Sequence, residues 1–325
     1  MIDKLIYDVK RFDLRTILLH IRYVLKRSKK NKYDYFISRQ RCYKKNTMDE
    51  ISRYLQEDYE RCMGEVLDLK TPKLYTEKIQ WLKLYDASEQ KARLADKYRV
   101  REWIGNQLGE EYLIPLLGAW DNFMDIDFEA LPNSFVLKAN HGSGMNIIVK
   151  SKYDIDFDSM RDEVERWLQI DYTYVSGFEM HYSKIKPVII AEEYIEQLDG
   201  NLYDFKIHCF GGRPVFIQLI GDRNLETHGG YQAFYNTEWE KLDVTFGDYP
   251  TYEKIIEKPT SLDEMLRVAR VLSKDFCYVR VDLYSLNSHV YFGEMTFTPA
   301  SGMYPYMSPQ DFNIRLGDLI QLPII

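Results

Sequence analysis

The feature that most constrains the fold is a change of residue pattern near residue 131. From residue 47 to residue 108 apolar side chains recur at helical spacing, whereas beyond residue 131 short β-branched and aromatic runs alternate with turn residues. Helical patterns return only at 158–170 and 261–275. A helical region followed by many short strands and few helices is typical of an α+β fold.

The same pattern predicts three segments along the chain. They are a basic amphipathic helical segment at 1–46, a mainly helical region at 47–130 and an α+β body at 131–325. Within the second segment, Ser88 is a candidate helix N-cap and residues 112–118 have the pattern of a short strand.

Charge is distributed unevenly along the chain. Residues 1–48 carry a net charge of +10, whereas the remainder carries −17. An acidic body argues against nucleic acid as the main partner. No run of about 18 apolar residues predicts a membrane span. The four cysteines lack CxxC spacing, which predicts reduced thiols in a cytoplasmic protein.

Residues 14–27 predict a basic amphipathic helix. The apolar positions at helical spacing are Leu14, Ile17, Leu18, Ile21, Val24 and Leu25, and the basic positions are Arg15, Arg22, Lys26 and Lys29. Two interpretations are open: the helix packs on the body with a solvated basic face, or it attaches to an anionic membrane surface. The second would place the protein peripherally at the inner face of the cell membrane.

Three segments of the body carry groups suited to chemistry. The first, FVLKANHGSGMNIIVK at 135–150, predicts a β-hairpin whose glycine tip could fold over a phosphate chain, with Lys138 just before it. A Walker loop would instead lead into a helix. An ordinary glycine hairpin with an edge lysine is the alternative.

The second segment, at 187–210, runs from a buried strand into Glu192 and Glu193 and then into the strand that carries Asp204 and Lys206. Its acidic strand end is either solvated or forms a hinge whose backbone pairs with adenine. Asp204 and Lys206 alternate onto one face of their strand, where a carboxylate can hold ribose hydroxyls and the lysine can meet phosphate.

The third segment, at 278–302, predicts a hairpin with paired carboxylates. A three-residue turn pairing Leu286 with Val290 sets Asp282 directly opposite Glu294. Two carboxylates so close are costly unless a cation lies between them, and Mg²⁺ or Mn²⁺ is the natural occupant. A surface hairpin with both carboxylates in water is the alternative.

Taken together, these motifs resemble the TupA-like ATP-grasp family over roughly residues 47–322. The resemblance rests on TEKIQWLKLYD, ADKYRVREW, EEYLIPLLG, LPNSFVLKANHGSG, IIAEEYIE, YVRVDLY and FGEMTFTP. It implies an ATP-grasp fold, in which two α+β subdomains clamp ATP, within the segment 131–325.

The resemblance also implies roles for individual residues. The implied catalytic residues are Lys138, Lys206 and Arg280. The implied ATP-binding residues are Lys138, His141, Gly142, Ser143, Gly144, Glu192, Glu193, Tyr194, Ile195, Asp204 and Lys206. The implied metal ligands are Asp282, Glu294 and Thr296, the last standing where many ATP-grasp enzymes have Asn. No general base is identified; His141, His208 and His228 are candidates.

The function implied is an ATP- and Mg²⁺-dependent carboxylate–amine ligase that forms a carbon–nitrogen bond through an acyl-phosphate. Its partners would be a small-molecule or lipid-linked glycan carrying a uronic acid, and an amine co-substrate such as an amino acid. The alternatives are a glycosyltransferase or other transferase of capsule or O-antigen biosynthesis, and a non-catalytic nucleotide-binding protein. A DxD-like sequence at 125–127 lies in a polar loop.

Overall fold

The structure is a computed structural model that describes residues 11–26, 28–175, 177–195, 203–224, 229–247 and 249–324. Its helices are α1 Leu14–Lys26, α2 Lys29–Tyr43, α3 Met48–Met63, α4 Tyr75–Tyr85, α5 Glu89–Ala95, α6 Val100–Gln107, α7 Phe157–Gln169, α8 Leu262–Ser273 and α9 Phe312–Asp318. Its strands are β1 Leu116–Trp120, β2 Phe135–Ala139, β3 Asn146–Val149, β4 Ile189–Glu193, β5 Asp204–Phe210, β6 Arg213–Asn224, β7 Gly229–Asn236, β8 Thr245–Phe246, β9 Tyr278–Leu286, β10 His289–Thr296 and β11 Met307–Ser308.

These elements confirm the predicted α+β class and most of the predicted local structure. The helices expected at 158–170 and 261–275 are α7 and α8. Ser88 caps α5, since its side chain accepts a hydrogen bond from the backbone N–H of Lys91. The strand predicted at 112–118 is displaced: Glu110–Tyr112 forms a 3₁₀ turn, and β1 begins only at Leu116.

The chain divides into two compact units, each made of two stretches of sequence. Unit 1 comprises Met1–Asp58 and Leu116–Tyr194, and unit 2 comprises Tyr59–Pro115 and Ile195–Ile325. The chain therefore passes from one unit to the other three times. This division by compactness does not test the segment boundaries predicted at residues 46 and 130, which stay predictions.

Unit 1 contains a four-stranded antiparallel sheet in the order β1-β4-β2-β3. The hairpin predicted at 135–150 is confirmed as β2 and β3, in which Phe135 pairs with Val149 and Lys138 with Asn146. The core of this unit collects side chains from the sheet and from α2 and α7, including the fully buried Trp167. Burial of these apolar faces stabilises the sheet.

Unit 2 contains a five-stranded antiparallel sheet in the order β10-β9-β5-β6-β7. One face packs on α8, and it carries Val279, Val281 and Leu283, all of which are completely buried. On the other face, one end packs in an aromatic core that includes Tyr75 and Ile79 of α4. The other end of that face carries charged side chains, and this end is the candidate site.

No helix in the part of the chain that the structure describes is long and apolar enough to cross a membrane.

Candidate functional site

The hairpin of β9 and β10 brings Asp282 opposite Glu294, but by a different route from the one predicted. The predicted pairing of Leu286 with Val290 is wrong, because Leu286 pairs with His289 across a two-residue turn. Both turn residues, Asn287 and Ser288, have positive φ (51° and 65°), as tight hairpin turns require. Such a turn alone would set Asp282 opposite residue 293.

A β-bulge at Gly293 corrects the register. The pairing shifts by one residue between Phe292 and Glu294, so that Glu294 faces Asp282. A Cβ atom at Gly293 would lie 3.0 Å from the carbonyl oxygen of Asp282, a tight approach that favours glycine at the bulge. The bulge thus returns Glu294 and Thr296 to the face that carries Asp282.

Charged side chains of alternating sign form a network on this face. The Nζ atom of Lys206 lies 2.8 Å from Asp204 Oδ2 and 2.5 Å from Asp282 Oδ2. Arg280 binds Asp282 through two parallel hydrogen bonds, Nε to Oδ1 and Nη2 to Oδ2, each 2.7 Å long. The strand register explains this grouping, since Lys206 pairs directly with Asp282.

The network continues onto β10. Arg280 Nη2 also lies 3.5 Å from Glu294 Oε1 and donates to Thr296 Oγ1 at 3.1 Å. The Thr296 hydroxyl donates to Glu294 Oε1 at 3.1 Å, and Lys97 Nζ lies 3.7 Å from Glu294 Oε2. The guanidinium of Arg280 therefore contacts both Asp282 and Glu294. We refer to Lys97, Asp204, Lys206, Arg280, Asp282 and Glu294 as the charged network.

The charged network is electrostatically balanced and largely buried. It holds three cations and three carboxylates, and Asp282 is only 2% exposed. Burial alone would lower the pKa of the Arg280 guanidinium, but the carboxylates of Asp282 and Glu294 raise it well above its usual value. Because burying charge is expensive even when it is paired, such a network is a weak source of stability and a strong candidate for function.

A cavity of about 740 Å³ adjoins the charged network within unit 2. Its polar wall includes Lys206, Gln218 and Arg280, and its aromatic wall includes Tyr231, Tyr249 and Tyr304. This volume lies in the range of small-molecule sites, about 300–1,000 Å³. Two cations beside aromatic rings suit a ligand that carries both an anionic group and a ring.

A strained turn forms part of the wall at Ala300. Ala300, Ser301 and Gly302 all have positive φ, at 46°, 55° and 66°. Gln80 Nε2 donates to the carbonyl oxygens of Ser301 and Gly302, both at 3.0 Å. The completely buried Lys83 donates to Ser301 O at 2.8 Å and to Gln80 Oε1 at 2.6 Å.

Two side chains of α4 thus brace the turn of residues 300–302. Left-handed residues other than glycine cost about 1–3 kcal/mol each and persist only where the surroundings hold them. The helix carrying Gln80 and Lys83 is the TEKIQWLKLYD motif. No role is predicted for these two residues from the sequence, because a helical pattern does not reveal which backbone carbonyls lie beside the helix.

In unit 1, Lys138 and the predicted hinge contact each other. Lys138 Nζ lies 2.5 Å from Glu192 Oε2, and these positions are diagonal neighbours on β2 and β4. Glu193 is exposed, whereas Tyr194 and Ile195 are half-buried. The chain leaves unit 1 between Tyr194 and Ile195, within the predicted hinge.

The glycine tip of the unit 1 hairpin has defined steric demands. Gly144 has a φ of +69°, which favours glycine. A Cβ atom at Gly142 would lie 2.3 Å from Met145 Cε, so this position is closely packed. Ser143 between them is exposed.

The three histidines proposed as candidate general bases differ in their surroundings. His141 is buried, with Nδ1 3.1 Å from Asn140 Oδ1 and Nε2 3.0 Å from Ile170 O, so it holds the hairpin in place. His208 is completely buried and stacks on Phe216, and burial lowers its pKa well below the usual value. His228 lies outside the described residues. The geometry therefore favours neither His141 nor His208 as a base.

The DxD-like sequence forms turns. Asp125 accepts a hydrogen bond from Asn122, and Asp127 accepts hydrogen bonds from the backbone N–H groups of Glu129 and Ala130. These local contacts account for both carboxylates, and the geometry does not favour a diphosphate–metal site there.

Among the described residues, no group of three or more His, Cys, Asp and Glu side chains forms a metal site by itself. Asp282, Glu294 and Thr296 nevertheless offer the oxygen atoms that a hard cation prefers, on one face of one hairpin. Mg²⁺ commonly binds through one or two carboxylates and completes its coordination with phosphates and water. The donor set therefore fits Mg²⁺ that arrives with a nucleotide.

Comparison with known proteins gives one sequence family and a set of structures. The family described as TupA-like ATPgrasp matches residues 77–321. No curated protein matches the chain.

Similar solved structures include two D-alanine–D-alanine ligases. The enzyme from Bacillus anthracis complexed with ATP is 18% identical, with 63% of this chain and 55% of that chain covered and a TM-score of 0.40. The enzyme from Helicobacter pylori is 14% identical, with 76% and 69% covered and a TM-score of 0.42. The ATP-grasp ligase PsnB, complexed with minimal precursor, Mg and ADP, is 12% identical, with 73% and 59% covered and a TM-score of 0.36. The chain spans little more than half the length of the Bacillus anthracis enzyme.

Proposed function

Because this chain belongs to the TupA-like ATP-grasp family, we propose that it is an ATP- and Mg²⁺-dependent carboxylate–amine ligase. The family confirms the predicted resemblance and, with it, the ATP-grasp fold. The observation that carries the proposal is the charged network beside the cavity of unit 2. Balanced charges at the edge of a ligand-sized cavity suit a reaction that transfers a phosphoryl group, because they can stabilise negative charge on the phosphates.

The proposed reaction has two steps. A carboxylate oxygen of the acceptor attacks the γ-phosphorus of ATP, which forms an acyl-phosphate and releases ADP. The nitrogen of the amine then attacks the acyl carbon, so that an amide forms and inorganic phosphate leaves. The protein contributes positioning and charge screening and forms no covalent intermediate.

Each group of the site has a proposed role. Lys138 and Lys206 bind ATP phosphates, and Asp204 accepts hydrogen bonds from the ribose. Asp282, Glu294 and Thr296 would hold Mg²⁺, which supplies charge neutralisation to the phosphates. Arg280 screens the negative charge of the acceptor carboxylate as it approaches the γ-phosphate. The remaining predicted ATP-binding residues are His141, Gly142, Ser143, Gly144 and the hinge from Glu192 to Ile195.

We further propose that the acceptor is a uronic acid of a surface polysaccharide or of its precursor, and that the amine is an amino acid. The cavity supports this choice, since Arg280 suits a carboxylate, and Tyr231 and Tyr304, which line the cavity, suit packing against a sugar ring. The resemblance to a family associated with capsule and teichuronopeptide biosynthesis points to the same class of substrate.

Turnover with a panel of uronates and amino acids tests the proposal. We expect ADP formation to require both an acceptor and an amine. With hydroxylamine in place of the amine, the acyl-phosphate should be trapped as a hydroxamate. Glu294→Gln should abolish both signals, whereas Glu240→Gln, which removes an exposed carboxylate bound to Asn236, should leave them unchanged.

Two results would contradict the proposal. Transfer from a sugar nucleotide without ATP would identify a glycosyltransferase. ATP hydrolysis at an equal rate with and without every acceptor of the panel would identify an ATPase.

A further inference from the structure

Helix α1 buries Thr16, Ile17 and His20 and exposes three of its four leucines. The Thr16 hydroxyl lies 2.7 Å from the Ser38 hydroxyl on α2, and His20 stacks on Tyr35 with ring centroids 4.5 Å apart. Thr16 and His20 are both buried. The buried face of α1 is thus partly polar, with Ile17 as its buried apolar residue, whereas a usual surface helix turns most of its apolar side chains to the core.

The exposed leucines lie on one side of the helix and form a row along it. Leu14 is 71% exposed, Leu18 56% and Leu25 75%. At about 100° per residue, these three positions fall within a sector of roughly 40°. Single exposed leucines are normal, but a row along three turns of one helix is an exposed apolar surface that calls for a partner.

Basic side chains border this row. Arg15, Arg22 and Lys26 are exposed and fall in the adjoining sector of the helix. Residues 1–48 carry a net charge of +10, while the rest of the chain carries −17. An anionic surface would therefore attract the face of α1 and repel the acidic body, which selects one orientation.

We propose that the exposed row of α1 and its basic border bind the surface of an anionic phospholipid bilayer. The leucines enter the boundary between headgroups and acyl chains, and the basic side chains lie among the phosphates. The helix lies in the plane of the membrane, consistent with its 13 residues, too few to span one. This inference concerns a surface and does not depend on the proposed ligase activity.

Flotation of the full chain with liposomes tests the proposal. We expect binding to vesicles of phosphatidylcholine with phosphatidylglycerol, and much weaker binding to phosphatidylcholine alone. Raising the salt from about 0.1 M to about 1 M should weaken binding steeply, because the Debye length falls from about 10 Å to about 3 Å.

Two double variants separate the apolar and basic contributions. Leu18→Ser with Leu25→Ser should weaken binding about ten-fold or more, since it removes the side chains that enter the bilayer. Arg15→Gln with Arg22→Gln should weaken binding to anionic vesicles about five-fold for each residue. It should leave the weak binding to neutral vesicles unchanged.

Matched controls use exposed residues elsewhere. Ile255→Ser removes an apolar side chain that is 83% exposed, and Arg53→Gln with Arg161→Gln removes two exposed charges of α3 and α7. Both controls should float like the wild type. Because all altered side chains are exposed or partly exposed, circular dichroism should give the same unfolding temperature for every variant.

Three outcomes would overturn the proposal. One is equal flotation of the wild type and the leucine variant. Another is binding that is equal for neutral and anionic vesicles. The third is failure to bind vesicles together with binding to soluble polyglutamate that the same variants weaken, which would identify an acidic polypeptide as the partner.

Discussion

Arg280 and Asp282 lie two residues apart on β9 and bind each other through two parallel hydrogen bonds of 2.7 Å. Residues at this spacing share one face of a strand, and here the guanidinium plane matches the carboxylate. The same guanidinium reaches Glu294 and Thr296. One side chain thus sets the geometry of every predicted metal ligand.

We predict that Arg280→Lys lowers turnover about 10²–10³-fold. An ammonium is a point charge and cannot bind two oxygens of Asp282 in parallel while it contacts Glu294. The expected loss is that of removing one preorganised donor at a developing charge. Arg267→Lys is the matched control, because Arg267 makes a similar bidentate pair with Glu264. Steady-state ADP release is measured for both variants. If Arg280→Lys releases ADP as fast as Arg267→Lys, Arg280 acts only structurally.

We predict that Mg²⁺ binds tightly only together with ATP. Without nucleotide, the ion would meet Arg280 and Lys206, whose charges already balance Asp282 and Asp204. The phosphates bring negative charge and the missing ligands. Calorimetric titration of Mg²⁺ into the protein should therefore show weak binding, and titration into the protein with a non-hydrolysable ATP analogue much tighter binding. Equal affinity in both titrations would contradict the predicted site.

We predict that His208 makes the stability depend on pH near neutrality. Its folded-state pKa lies well below the unfolded value of 6.5, because burial and the charge of Arg280 disfavour the imidazolium. Below pH 6.5 the unfolded chain binds a proton that the folded chain excludes. As the pH is lowered below 6.5, the free energy of unfolding should therefore decrease by up to about 1.4 kcal/mol per pH unit, until the pH reaches the folded-state pKa.

His208→Gln should remove this dependence. Denaturant unfolding at a series of pH values from 5 to 7.5 gives the slope for both proteins. The comparison uses slopes, because the substitution also alters the contact with Tyr278, whose hydroxyl lies 2.9 Å from Nδ1. Parallel slopes would show that the histidine is titratable in the folded state.

We predict that Lys83→Met raises the KM for the acceptor and leaves ATP affinity unchanged. The methionine fills a similar volume but no longer donates to Ser301, and the adjacent Ala300 lines the cavity. Lys78→Met is the control on the same helix, since Lys78 also donates to two backbone carbonyls, at Gly317 and Ile320. Steady-state kinetics with varied acceptor and with varied ATP compare the two variants. The same KM for the acceptor in both variants would contradict the role of Lys83. This prediction presupposes a ligase reaction.

We predict that Lys138→Met weakens ATP binding about ten-fold to one hundred-fold, the range of a lost hydrogen bond to a charged group. The matched control is Lys152→Met, which removes another partly buried lysine of unit 1, bound to Glu129 and to the carbonyl of Leu131. Calorimetric titration with ATP distinguishes the two. An unchanged affinity in Lys138→Met would remove Lys138 from the ATP site.

The β9–β10 hairpin illustrates what the sequence can predict. Alternation of apolar and charged residues predicts its faces, and these faces follow from the period of two in any strand. The turn and the bulge are two irregularities that cancel, and alternation alone does not distinguish them from one longer turn. Asn287 and Gly293 were the available signals, as residues suited to a tight turn and to a bulge.

Partners across long sequence separations were harder to predict. The sequence predicts Mg²⁺ or Mn²⁺ between Asp282 and Glu294, but it does not predict that Arg280 contacts both carboxylates. The conformation of the Arg280 side chain depends on packing, which the alternation of residues along the strand does not reveal. Lys97 lies almost two hundred residues from Glu294 and is brought to it by the tertiary fold. For α1, helical spacing predicts the apolar positions, but it does not reveal that Ile17 is buried whereas Leu14, Leu18 and Leu25 are exposed.

The chain crosses between the two units three times, and this limits how the protein can be divided into fragments. A fragment beginning at residue 131 would lack α4, and with it Tyr75 and Ile79 from the aromatic core of unit 2. Neither unit can be obtained by simple truncation from one end. Fragment complementation is the appropriate strategy: separately produced pieces cut at a crossing point should each remain poorly folded alone and regain structure when mixed.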